Sequence, residues 1–299
     1  MTIDPKTLVL KAMKHPDEIK PVEELQRLVW SGSDTEIVPL HILLTVAQNG
    51  GLLIGAYHDE QLVGFVFGFL GLYNEGEQGQ IKHCSHMLGV HPDYRDAGVG
   101  ARLKRAQWQL VRHQGIELIT WTYDPLESRN AYLNIAKLGA ICSTYKRDVY
   151  GKLEDDLNAG IPTDRFQVDW WVNSRRVLQR LKRDPGDRLN LAHYLAADVT
   201  IINQLKLNEA GFPAPYQDRM DTIEDPETRP NLTLFEIPGN FQDLKAADME
   251  LAHTWRMYSR VIFELFFNHG YLITDFVFLP GKDPRGYYVL THGEATIGP

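Results

Sequence analysis

Residues Val90–Ala101 read VHPDYRDAGVGA, which sets Arg95, Gly98 and Gly100 in the spacing R-x-x-G-x-G. The preceding residues, Cys84–Val90, are mostly apolar and read as a strand. Those that follow place Leu103, Ala106, Trp108, Leu110 and Val111 at helix-compatible spacing, so the turn joins a strand to a helix N-terminus. Glycines in such a turn let the backbone approach a ligand and adopt angles that a side chain forbids. The first amides of the helix have no intrahelical partner and sit at the positive end of its dipole. Such an end can hold a pyrophosphate, with Arg95 able to assist, although a G-x-G by itself is more often only a turn. The dinucleotide fingerprint G-x-G-x-x-G fails because position 103 is Leu, and no Gly-Lys-Ser/Thr follows to make a Walker A loop.

Over Leu88–Gly100 the pattern L-x-V-x-P-x-Y-R-x-x-G-x-G resembles the acetyl-CoA signature of the GNAT acyltransferase superfamily. Downstream, Ile116–Tyr123 reads as a second strand. Ser128–Ala140, SRNAYLNIAKLGA, is similar to the family's next helix, which ends in Lys-x-Gly-small. The resemblance implies an α/β fold of the α+β kind, a mixed sheet of the GNAT-like acyl-CoA N-acyltransferase type. It also implies direct transfer of an acetyl group from acetyl-CoA, a co-substrate, to an amine acceptor through a tetrahedral intermediate.

Four tasks then need residues. Main-chain groups of Leu88, Gly89 and Val90, at the splayed end of the strand, are expected to hold the pantetheine arm, one N–H stabilising the oxyanion. The backbone of Asp96, Ala97, Gly98, Val99, Gly100 and Ala101 takes the pyrophosphate, with Arg95 as the charged assistant. A general base is required because the amine arrives largely protonated. His83 and His86 lie on the strand facing the site, His86 nearer the bulge and preferred, with Tyr123, Asp124 and Glu127 as rivals. The leaving thiolate needs a proton, which many family members take from a Tyr at the position that Ile135 occupies here. Tyr132 substitutes, or solvent does, or catalysis is lost. Asn130 and Asn134 are candidates to hydrogen-bond the CoA arm.

The 299 residues are 43% hydrophobic, enough for a sizeable core and two domains. The reading places a GNAT-like acetyl-CoA-binding domain at 1–173 and a C-terminal α/β domain at 174–299, the latter shaping the acceptor pocket or a homodimer interface. Cys84 and Cys142 are the two cysteines, which is no disulfide framework. MTIDPKTLVLKAMKHPDE has no apolar signal core and no 18-residue apolar run occurs, so a cytoplasmic protein without membrane contact is expected. A net charge of -8 argues against a nucleic-acid partner, and the scattered histidines show no metal-site spacing.

Strands are expected at Thr7–Met13, Leu52–Tyr57, Leu62–Leu70, Ile141–Tyr150, Phe166–Val172, Leu232–Ile237, Tyr271–Leu279 and Tyr287–Leu290. A helix is expected at Pro16–Trp30, one at Arg175–Arg183 and one long one over Leu244–Phe267, with loops at Tyr73–Gly79 and Asn208–Pro230. The basic run Arg175, Arg176, Arg180, Lys182 and Arg183 reads as a solvated helix face or an anion contact, and Trp170-Trp171 as strand packing. QGIELITWTYDP at 114–125 resembles HGYLITDFVFLP at 269–280, each after an amphipathic helix. That points to a degenerate partial copy of the core, or to ordinary α/β construction. The second copy lacks the R-x-x-G-x-G spacing. The competing functional class is a non-catalytic acyl-CoA-binding sensor or scaffold; transfer of a longer acyl or aminoacyl group is a third reading.

Overall fold

A computed structural model describes residues 7–30, 37–74, 79–151, 159–182 and 188–293. Described residues up to Trp121, together with Trp171–Asn173, form one compact unit, and the remainder form a second. Among the described residues no helix is long and apolar enough to cross a membrane.

The first unit is built on β1 (Val9–Ala12), β2 (Leu52–His58), β3 (Gln61–Asn74), β4 (Gly79–Val90) and, as far as Trp121, β5 (Leu118–Tyr123), adjacent in that order. The pairs from β1 to β4 are antiparallel, and β4 and β5 are parallel. Asp59 and Glu60 turn β2 into β3 with φ of 46° and 67°, as a two-residue hairpin loop requires. Helices cover both faces because β3 alternates. Phe65 and Phe67 meet Ile19, Val22 and Leu25 of α1 (Pro16–Val29) and Leu43 and Ala47 of α2 (Leu40–Gln48). On the other face Val66 meets Val99 and Leu103 of α3 (Val99–His113). The strand periodicity hides α2, whose LHILLTVAQ is apolar nearly all round. The expected Tyr73–Gly79 loop is shorter, since β3 runs to Asn74 and β4 begins at Gly79; residues 75–78 lie outside the described residues.

In the second unit, Ser128–Ala131 (α4) passes directly into a π turn, Tyr132–Lys137. The strands β6 (Ile141–Lys146), β7 (Arg165–Trp171), β11 (Leu232–Pro238), β12 (Tyr271–Leu279) and β13 (Arg285–His292) lie in the order β7-β6-β12-β13-β11. Phe166 of β7 anchors an aromatic core, its ring 4.6 Å from Phe263, 5.6 Å from Tyr288 and 5.7 Å from Tyr123. α5 (Arg175–Lys182) is not merely a solvated face. Arg176 donates to Gly139 O and Thr274 O, and Arg180 pairs with Asp275 at 2.6 Å. Arg183 and the Asp184-Pro185-Gly186 break lie outside the described residues, as does most of the acidic loop after Tyr150.

Two expectations are corrected. Residues 208–230 are not all loop, for β10 (Pro213–Asp218) pairs with β9 (Asn203–Leu207) and a short helix, α7, covers Asp221–Glu224. Pro213 and Pro215 obscure the strand, yet β10 pairs on one side alone, where Pro is tolerated. The long helix is two, α8 (Phe241–Ala247) and α9 (Met249–Asn268), because Asp248 leaves the helical region at φ -148° and caps Leu251 N at 2.9 Å. In the sheet β12 lies beside β6. Both follow a helix, both pair antiparallel with the next strand, and they meet each other at Ile273 and Cys142.

Charge is buried in this unit in pairs. Asp164, wholly buried, accepts two bonds of 2.8 Å from the Arg260 fork and one of 2.6 Å from Tyr145. Burial opposes its ionisation, but these donors hold its carboxyl below the usual range. Arg256, with no exposed surface, donates to Asp124, which also accepts from Leu126 N at 2.8 Å. Replacing Arg256 by Met leaves the buried Asp124 carboxylate to Arg165, 3.7 Å away, and Leu126 N. The unfolding free energy in urea should fall by about 3 kcal/mol, and Asp124→Asn in the same chain should restore part of it.

Candidate functional site

The predicted cradle is a helix N-terminus opened by a left-handed glycine. Gly98 caps α3 with φ 76° and ψ 6°, and the first helical bond runs from Arg102 N to Gly98 O at 3.1 Å. The amides of Val99, Gly100 and Ala101 therefore precede the helix's own bonding pattern. A Cβ at position 98 would meet nothing within 4 Å, so it is the backbone angle, not crowding, that requires Gly there. Asp96 also has positive φ, at 65°. Arg95 and Asp96 are exposed and Ala97 is half-buried. The turn before them is fixed by Asp93 N donating to His91 Nδ1 at 3.2 Å.

The cradle connects to an open strand edge. β4 pairs with β3 along its length through Leu88, Gly89 and Val90. Against β5, however, its register holds only at His83 with Ile119 and Cys84 with Thr120, although β4 continues to Val90 and β5 to Tyr123. From Ser85 and Trp121 onward the parallel strands part into a fork, leaving backbone groups of β4 without a β5 partner. Gly89 is buried, and a Cβ there would stand 2.7 Å from Phe65. Leu88 and Val90 are half-buried side chains packed in the α3 core.

The strand bulge falls at His86. Phe67 pairs with Met87 and Gly68 with Ser85, so His86 is the extra residue. Its exposed imidazole lies 6.1 and 5.8 Å from the rings of Phe67 and Phe69, and desolvation lowers its pKa below 6.5. His83 faces the other way and is fully buried.

A polar cluster that the sequence did not disclose surrounds His83. Lys104 Nζ donates to Ser85 Oγ at 2.9 Å and to Gln107 Oε1 at 3.0 Å, and lies 3.6 Å over the centre of the Trp121 ring. Because Gln107 Oε1 accepts from Lys104 and Ser85, its Nε2 donates to His83 Nε2 at 3.0 Å. A second proton on His83 would set N–H against N–H. Burial and then the nearby Lys104 charge push His83 down to about 3, and burial pulls Lys104 well below its ordinary value. On sequence alone Lys104 and Gln107 read as ordinary helix positions; their spacing of three was the only signal.

The remaining named residues lie in the second unit. Tyr123 is buried, its hydroxyl 3.3 Å from that of Tyr288, which itself donates to Pro125 O at 2.7 Å. Burial raises the Tyr123 phenol far above its usual range. Glu127 accepts from Gln242 at 2.6 Å, and burial followed by the charge of Asp124 raises its carboxyl. Tyr132 is half-buried in the π turn, and its hydroxyl oxygen accepts from Arg188 Nη1 at 2.9 Å. Asn130 is exposed; Asn134 is buried, with its carbonyl accepting from Ala140 N at 3.1 Å. Ile135 has no exposed surface. The Lys-x-Gly ending is a helix cap, with Gly139 left-handed at φ 78° and Trp170 Nε1 donating to Leu138 O at 2.8 Å.

Residues 49–138, the segment that contains the cradle and the fork, match the family model described as Acetyltransferase (GNAT) domain. No curated protein matches the chain. Among solved structures, NAA60 of Arabidopsis thaliana in complex with acetyl-CoA is similar at 15% identity and TM-score 0.45, over 56% of this chain and 99% of that one. Naa50 of Arabidopsis thaliana with the bisubstrate analogue CoA-Ac-MVNAL is similar at 16% identity and TM-score 0.43, over 55% and 97%. The ribosomal-protein-S18-alanine N-acetyltransferase of Escherichia coli is similar at 11% identity and TM-score 0.43, over 55% and 94%.

Two outcomes follow from this geometry. Gly98→Glu places a carboxylate at the helix start and strains the left-handed position. Its calorimetric affinity for CoA should fall by about a hundredfold or more with a small change in melting temperature, and unaltered affinity would refute the cradle. His83, neutral in the fold with its pKa lowered from 6.5 to about 3, contributes stability above pH 6.5 that is lost as pH falls toward 3. His83→Gln should therefore lose less melting temperature than the parent chain between those two values.

Proposed function

We propose that the protein is an acetyl-CoA-dependent N-acetyltransferase acting on an amine. The observation that carries this reading is the continuity of left-handed Gly98 and the α3 amides with the unpaired edge of β4. Together they offer an anion site and a strand edge joined at the distance of one turn. A cradle with open space where a side chain would project, lined by amides, fits the pyrophosphate of CoA. Acetyl-CoA supplies the activated acyl group when bound.

In this reading the amides of Asp96, Ala97, Gly98, Val99, Gly100 and Ala101 hold the pyrophosphate, assisted by Arg95. The backbone of Leu88, Gly89 and Val90 bonds the pantetheine arm as an added strand would. His86 is the base. It stands at the bulge with an imidazole that desolvation keeps neutral near pH 7, ready to take a proton from the amine. Tyr123 suits that task less well, since its hydroxyl is already engaged with Tyr288. Tyr132 is the acid for the leaving sulfur. Arg188 donates to its oxygen, which leaves the phenolic proton free to be given away. Asn130 and Asn134 are assigned to the CoA arm by the same resemblance.

A second reading, an acyl-CoA-binding module without turnover, draws on Ile135, a core residue where the family's usual acid stands. Release of free CoA thiol with a panel of amines separates the two. Under the first reading thiol appears in an amine-dependent way, and Tyr132→Phe lowers kcat by about a hundredfold while leaving CoA affinity near its original value. Tight CoA binding with no thiol release across the panel would favour the second.

A further inference from the structure

The fork between β4 and β5 has a closed inner end, and the residues that close it are not the ones the resemblance names. Ser85 is the first β4 residue, and Trp121 the first β5 residue, beyond the last parallel pair. Lys104 reaches from α3 to that point. Its Nζ bonds Ser85 Oγ at 2.9 Å and lies 3.6 Å over the Trp121 ring, and its side chain is 2% exposed. Gln107 Oε1, at 3.0 Å, holds the ammonium from the helix side and accepts from Ser85 as well. Three elements thus converge on one nitrogen at the apex of the fork.

We propose that Lys104, Ser85 and Trp121 form the end wall of the acyl slot and restrict the protein to short acyl groups. This deepens the acyl-CoA reading and rests on it. A longer alkyl chain entering the fork must displace Nζ from Ser85, Gln107 and the indole face together. That would leave a buried nitrogen and a buried hydroxyl without their partners. Size and polarity act in the same direction. The acyl group must end where the strands rejoin, because at Cys84 and Thr120 the β4 and β5 backbones are bonded to one another. Lys104 is accordingly a residue of specificity, distinct from any that moves a proton.

Isothermal titration of the full chain with CoA, acetyl-CoA, butyryl-CoA and octanoyl-CoA tests the wall without requiring turnover. The parent chain should bind acetyl-CoA at least about tenfold more tightly than octanoyl-CoA. Lys104→Ala should reduce that preference by about tenfold or more through a gain for octanoyl-CoA, leaving the affinity for CoA itself unchanged. Trp121→Leu, which shortens the wall from the strand side, should move the preference in the same direction and serves if Lys104→Ala does not fold, as judged by thermal melting. A folded variant that binds CoA with the parent's chain-length preference would overturn the end wall alone. A parent chain that binds octanoyl-CoA as well as acetyl-CoA would do the same. Absence of binding for every one of these ligands would overturn the cofactor reading and the wall with it.

Discussion

The parallel register between β4 and β5 ends after two residue pairs, and the rest of the first unit is arranged around that break. Two strands that diverge expose main-chain donors and acceptors, which are costly to leave unmet in a protein interior. Here the opening is bounded by defined parts. β3 pairs with the far edge of β4 on both sides of the His86 bulge, so β4 is held as far as the cradle. The bulge at His86 turns the local strand direction, and Lys104 occupies the apex. α3 plays two parts, since its N-terminus forms the cradle and its second and third turns supply Lys104 and Gln107. A shift of α3 would move anion site and end wall together.

The second unit solves a different problem. It buries several ionised groups and satisfies them locally, with Asp164 against Arg260 and Tyr145, and Asp124 against Arg256. Such pairs offset desolvation more than they add stability, and they fix which residues can sit opposite one another. The aromatic cluster around Phe166 fills the space between them. The antiparallel meeting of β6 and β12 relates the two helix–strand–strand segments of this unit.

Much of the first unit was legible because its signals are local. The alternation Phe65, Val66, Phe67 and the stripe Leu103, Ala106, Leu110 report strand and helix directly, and glycine at 98 announces a left-handed turn. α2 was not legible, since its apolar residues cover most of its surface and give no stripe. β10 was not legible either, because its two prolines imitate a loop. The break at Asp248 was hidden within an apolar periodicity that runs unbroken across it; only the local bond from its carboxylate to Leu251 N decided the matter. The candidate site divides in the same way. The turn at Gly98 could be placed from spacing, whereas Lys104, Gln107 and Arg188 act through partners on other elements.

Taken by itself, the amino-acid order determined the class of fold and the strand-to-helix turn with its glycines. These depend on backbone angles and on periodicities of two and 3.6 residues, which neighbours in the chain control. Tertiary structure alone decided that His83 is buried and His86 exposed at the bulge, and that Tyr123 is tied to Tyr288. It alone brought Lys104 to the fork. Those outcomes depend on which strands lie side by side and where their register stops, and that is set by contacts between residues far apart in the chain.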